Sequence, residues 1–184
     1  MFAIRRRSHL VVVDVQERLV PAIDDAEAVT GNVARLIKYA GFLDVPITFT
    51  EHMPERIGAM LPALLDAGPA GSVCLAKTAF SSWREPSLRA RFQEQRQQRR
   101  DQIVLCGMEA HVCVMQTGLD LLGQGFEVLL VADAVGSRAA GDRDGALERL
   151  SKAGAAIVTQ EMIAFEWLER GDAPEFKDVL SVLK

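Results

Sequence analysis

Only three cysteines occur in the 184 residues, Cys74, Cys106 and Cys113. Their odd number and irregular spacing exclude a disulfide framework and lead us to expect free thiols in a reduced, cytoplasmic protein. No apolar stretch approaches the ~20 residues needed to cross a bilayer. Residues 1–10 carry arginines, but the apolar run that follows is broken at Asp14 and has no small-residue cleavage site, so it does not read as a secretory leader. Net positive charge is also lacking. The formal balance is -4, which gives no global basic field to draw nucleic acid or an anionic membrane. The local cluster Arg5-Arg-Arg7 reads as a solvated flank of the first strand. The three histidines, His9, His52 and His111, show no metal-ligand spacing, and neither do Cys106 and Cys113. The stretch Cys106-Gly-Met-Glu-Ala110 lacks the later glycines of a dinucleotide-binding loop. Neither a metal nor a cofactor is expected. With no repeat, low-complexity tract or linker, residues 1–184 read as one domain.

What is present is an alternation of strand and helix. Hydrophobic residues make up 49% and charged residues 25%, the balance of a globular chain. Apolar, β-branched runs predict strands at His9–Asp14, Pro46–Thr50, Ser72–Ala76, Gln102–Cys106, Glu127–Ala132 and Ala155–Thr159. Helical spacing predicts helices over Glu27–Leu43, Glu85–Arg100, the stretch that follows the fourth strand through Leu122, and Asp142–Ala153. In the third of these, Val112, Met115, Leu119 and Leu122 are expected to face inward, and Gly123-Gln-Gly125 to close it. Met53–Gly71 reads as loop or short helix, and two amphipathic helices around Phe165–Leu168 and Phe176–Leu183 close the chain. This order implies a three-layer α/β/α, Rossmann-like fold with a six-stranded, mostly parallel, doubly wound sheet.

In such a sheet the ligand crevice lies outside the carboxyl ends of the strands. Asp14, Lys77 and the turn leading to Cys113 all follow strands at that end. Cys113 near a helix start fits either a nucleophile or a small buried residue, and the helix dipole and a nearby cation favour its thiolate. Asp14 interrupts an apolar strand and suits a general acid/base or a turn cap. Lys77 suits a partner for both or a solvated strand end. His111 lies two residues before Cys113, a spacing that does not make the two face each other on a helix. Cys74 and Cys106 read as packing residues within strands.

Four segments carry a resemblance: Leu10-Val-Val-Val-Asp-Val-Gln16, Lys77-Thr-Ala-Phe-Ser-Ser82, Leu105-Cys-Gly-Met-Glu-Ala-His-Val-Cys-Val114 and Val131-Ala-Asp-Ala-Val135. In this order they resemble the isochorismatase-like cysteine hydrolases, and most closely the small isochorismatase-domain proteins of undefined substrate. The resemblance implies Asp14, Lys77 and Cys113 as a catalytic triad. It also implies a cis peptide at Met108–Glu109, an oxyanion hole from the backbone N–H groups of Glu109 and Cys113, and supporting roles for Gln16 and Asp133. The segment Thr50-Glu-His-Met-Pro-Glu-Arg56 departs from the histidine-rich metal site of nicotinamidases.

The expected function is hydrolysis of a small amide or related acyl compound through a Cys113 thioester. The alternative is a non-catalytic scaffold with the same fold. The expected partners are a small-molecule substrate and, from the family and the apolar closing segments, further copies of the chain. Neither nucleic acid nor a membrane is expected.

Overall fold

Alternate residues of the central strands enter two different hydrophobic layers, and that period of two organises the molecule. The computed structural model describes residues 1–183. Six strands form one sheet: β1 (Ser8–Val13), β2 (Ile47–His52), β3 (Val73–Lys77), β4 (Gln102–Met108), β5 (Glu127–Gly136) and β6 (Ala156–Val158). All pair in parallel, in the order β3-β2-β1-β4-β5-β6. Leu10 and Val12 of β1 join Val104, Cys106, Leu129 and Val131 in one core. Val11 and Val13 join Ile103, Leu105, Val128 and Leu130 in the other.

Helices cover both faces. The first core is closed by α1 (Ala26–Phe42), α7 (Gln160–Leu168) and α8 (Phe176–Leu183), with the short α2 (Pro54–Ile57) and α3 (Pro62–Asp66) in the segment after β2. The second is closed by α4 (Pro86–Gln97), α5 (Met115–Gly123) and α6 (Ala140–Lys152). The chain winds outward from β1 to β3 and then returns to place β4 beside β1. The winding direction therefore reverses between β1 and β4, where such sheets open a crevice.

The expected elements are present, with some differences. Strands β4 and β5 run on to Met108 and Gly136, and α4 stops at Gln97 rather than Arg100. At the end of α5 the amide of Gly125 bonds to Leu122 O and that of Phe126 to Leu121 O, the paired bonds of a Schellman close. The buried face of this segment is Cys113, Val114, Thr117, Gly118 and Leu121. Val112, Met115, Leu119 and Leu122 sit half-buried at its margins. At Gly118 the segment approaches α6 closely: a Cβ there would lie 2.8 Å from Leu150 Cδ2. Cys74 is exposed, because β3 is an edge strand. Trp167 is buried, its indole Nε1 donating to Ser8 Oγ at 2.8 Å, so the first closing helix leaves mainly Met162 and Phe165 in solvent.

Candidate active site

The site assembles at the switch point. Asp14 directly follows β1 and Cys113 follows β4, while Lys77 ends β3, two strands from Asp14. Neighbouring strands lie ~4.8 Å apart, so side chains must bridge ~10 Å past the end of β2. The lysine and aspartate side chains close that gap together. Lys77 Nζ reaches Asp14 Oδ2 at 2.7 Å, and both side chains have 0% exposure. The same ammonium donates to the carbonyls of Ala79 (3.2 Å) and Phe80 (3.0 Å), so its three protons are engaged and the loop after β3 is drawn over it.

Asp14 is held from the β2 side as well. Its backbone sits at φ 52, and its amide donates to Thr50 O at 3.0 Å. The hydroxyl of Thr50 donates to Asp14 Oδ1 at 2.6 Å. Each carboxylate oxygen therefore has a donor, which is the condition for keeping a buried charge. Gln16 fastens the next layer. Its Nε2 donates to His52 O and Gly58 O, and its Oε1 accepts from the His52 amide at 2.7 Å, tying the chain after β1 to the chain after β2.

Cys113 lies in a π-turn, Ala110–Val114, ahead of α5, closed by Val114 N donating to Glu109 O at 3.2 Å. The peptide Met108–Glu109 before it is cis. Gly107 precedes that peptide at φ 114, where a Cβ would sit 2.0 Å from Val13 O. Only glycine lets β4 pass β1 so closely at this level. The Glu109 carboxylate accepts from the Arg138 amide (3.2 Å) and Nε (2.9 Å), which fixes the turn from the β5 side.

Cys113 is 6% exposed, and the Asp14 carboxylate and the Lys77 ammonium both act on its thiol electrostatically. The three residues singled out from sequence thus converge in one buried cluster. The charge state differs from the expected thiolate. Burial and the Asp14 charge push the Cys113 thiol well above its ordinary range, and Lys77 offsets only part of this. At neutral pH the resting group is a thiol beside an ion pair.

His111 turns away from this cluster toward β5: its Nδ1 is 2.9 Å from Ser137 Oγ, and its Nε2 is 3.9 Å from Asp142. His52 stands beside the cluster, 5.2 Å from the half-exposed Phe80 ring, and burial together with Lys77 lowers its pKa. Asp133 Oδ1 accepts the Gln160 amide at 2.8 Å and so caps α7. Among the described residues no group of three or more His, Cys, Asp or Glu is placed to hold a metal. Sequence reasoning missed Thr50 and the Ala79 and Phe80 carbonyls. Backbone carbonyls leave no side-chain trace, and a strand threonine reads simply as a β-former.

Comparisons with known proteins agree with this architecture. The isochorismatase domain profile matches residues 8–162. Isochorismatase domain-containing protein 2A of Mus musculus is 35% identical over 177 residues, covering 96% of this chain and 82% of that protein. The Homo sapiens isochorismatase domain-containing protein 2 is also 35% identical over 177 residues, covering 96% and 83%. A solved structure of the MAR1 ribonuclease of Caenorhabditis elegans superposes with a TM-score of 0.92 at 32% identity, covering 100% of this chain and 92% of that one. YcaC of Pseudomonas aeruginosa reaches 0.90 at 22% identity, covering 98% and 91%, a likeness of fold. The chain belongs to the isochorismatase domain family.

Proposed function

We propose that the chain, as one domain over residues 1–184, hydrolyses a small amide or related acyl compound, with Cys113 as nucleophile. One observation carries the reading: a buried thiol lies in the field of a carboxylate and an ammonium that are themselves paired at 2.7 Å. Because the resting sulfur is protonated, attack and deprotonation go together. The Cys113 S–C bond forms on the substrate carbonyl while the thiol proton moves to Asp14. The backbone N–H groups of Glu109 and Cys113 receive the developing oxyanion. Asp14 then passes the proton to the leaving nitrogen as the C–N bond breaks, leaving a thioester. Water attacks the thioester, giving a proton to Asp14, and the C–S bond breaks as that proton returns to sulfur. Lys77 holds Asp14 in place and stabilises the negative charge that appears on sulfur. Phe80 and His52 at the rim suit an uncharged, flat acyl group.

No metal or cofactor takes part in this scheme. The setting is cytoplasmic, with reduced thiols, and the chain assembles with copies of itself through the apolar patch of Phe2, Met162 and Phe165, exposed at 76%, 52% and 42%.

The test is a screen of small amides, esters and single-stranded RNA against the wild-type chain, Cys113→Ala and Asp14→Asn, with intact-mass spectrometry to trap an acyl-enzyme. The expected result is turnover of an acyl compound, a mass adduct on Cys113, and loss of turnover by at least ~10³-fold in both variants. A scaffold without chemistry would give no turnover and no adduct. Cleavage of RNA that survives Cys113→Ala would refute the acyl reading.

A further inference from the structure

The end of the sheet opposite the Cys113 site carries a groove of about 710 Å³ lined by Arg6, Arg7, Arg96, Gln98, Arg99 and Asp101. Four arginines meet there in a chain whose net charge is -4. They come from three places: the turn before β1, the last turn of α4, and the connection into β4.

Two of the four are fixed. Arg7 Nε and Nη2 donate to the two Asp101 oxygens at 2.8 Å each, and Nη2 lies 3.2 Å from Glu127. Arg96 donates to the carbonyls of Gln124 (2.9 Å) and Gly125 (3.1 Å) and lies 4.6 Å above the Phe126 ring. The other two are free. Arg6 and Arg99 are exposed and make no ion pair or side-chain hydrogen bond among the described residues. Arg99 is held at φ 64 in the turn that ends α4. Asp101 and Glu127 offset two of the four guanidinium charges, which leaves a net charge of two at the groove, with Arg6 and Arg99 unpaired among the described residues.

We propose that this groove binds a compact polyphosphate group, the di- or triphosphate of a small molecule, apart from the reaction site. Guanidinium forks match phosphate oxygens in pairs, and the groove is too roomy for a single small anion to satisfy all of them. The one aromatic ring at hand, Phe126, is 3% exposed and lies under Arg96, so no platform remains for stacking bases. That favours a phosphate chain over single-stranded nucleic acid. The β1 strand separates the groove from Asp14 by six residues, or ~20 Å, so the bound group does not reach the thiol.

Titration calorimetry of the full chain with sodium tripolyphosphate at low ionic strength tests this. One saturable site per chain is expected, weakened at least ~10-fold in Arg6→Gln/Arg99→Gln. A control, Arg89→Gln/Lys177→Gln, removes the same charge from exposed positions elsewhere and is expected to bind as the wild type does. No saturable binding, or equal weakening in both double variants, would overturn the site, the latter by showing only diffuse attraction. A single-stranded RNA oligomer that binds more tightly than tripolyphosphate, with affinity rising with length, would overturn the ligand class. A circular dichroism spectrum matching the wild type keeps either variant interpretable, since among the described residues neither free arginine makes a side-chain hydrogen bond or ion pair.

Discussion

Lys77 Nζ stands 2.7 Å from Asp14 Oδ2 with both side chains shut off from water, and among the described residues neither charge has another counter-ion within hydrogen-bonding distance. Removing one partner of such a pair leaves the other buried and unpaired, at a cost of about 3–5 kcal/mol. Lys77→Met should therefore unfold at markedly lower urea concentration than the wild type. Adding Asp14→Asn removes the orphaned charge and should recover most of that loss. Equilibrium unfolding of the two single variants and the double variant checks this. Additive losses would mean that the pair is not coupled in the way its geometry requires.

The cluster makes a less obvious prediction about the thiol. Asp14 raises the Cys113 pKa by its charge, whereas Lys77 lowers it. Asp14→Asn should therefore move the Cys113 thiol down and enlarge its thiolate fraction at neutral pH, even as turnover disappears. Lys77→Met should move it up. The pH dependence of thiolate absorbance, or of iodoacetamide labelling at Cys113 followed by mass spectrometry, reads the direction. Cys74 supplies an internal reference, since it is exposed yet pushed up to about 12 by partial burial and Glu51. An upward shift in Asp14→Asn would contradict the assignment of Asp14 as the group that holds the proton on sulfur.

Gly107 offers a test of how the site is built. Its φ of 114 and the 2.0 Å separation between a notional Cβ and Val13 O leave no room for a side chain against backbone. Gly107→Ala should cost at least ~3 kcal/mol and displace the turn that carries Cys113. Gly118→Ala meets only the far end of Leu150, at 2.8 Å, which can rotate aside. It should cost ~1 kcal/mol and leave Cys113 labelling unchanged. Equal losses in the two variants would argue against β1–β4 contact as the determinant of the turn.

Much of this was legible in the sequence because strand ends are loud. A charged residue closing an apolar run has few reasons to be there, and Asp14 and Lys77 both do so. The register of the sheet was not legible. That β3 lies at an edge, exposing Cys74, depends on which strands pair, and local pattern is silent on pairing. The face of α5 was legible only in part. Val112, Met115, Leu119 and Leu122 do pack against the second core, but the fully buried face is Val114, Thr117, Gly118 and Leu121. The protonation of Cys113 was out of reach because it is a contest between burial, Asp14 and Lys77. Sequence names the contestants without giving their distances.

His9 lets the electrostatics of the core be tested away from the thiol. It lies fully buried on β1 with Nε2 2.8 Å from Thr48 Oγ1, and its Nδ1 has no partner among the described residues. Burial, with Arg91 and Arg100 nearby, lowers its pKa to about 3. The sign follows from linkage. Near pH 7 the ring is neutral in both the folded and unfolded chains, so it has little effect there. Below about pH 6.5 the unfolded chain gains a proton that the folded one refuses, and stability falls until about pH 3. By pH 5 this one residue should have removed about 2 kcal/mol relative to neutral pH. Urea unfolding at a series of pH values should show a shallower acid decline in His9→Gln, whatever its absolute stability, because the variant lacks the extra proton uptake. Parallel pH profiles for the two proteins would mean that the folded core accepts the charge, and that the His9 environment is wetter than its burial indicates.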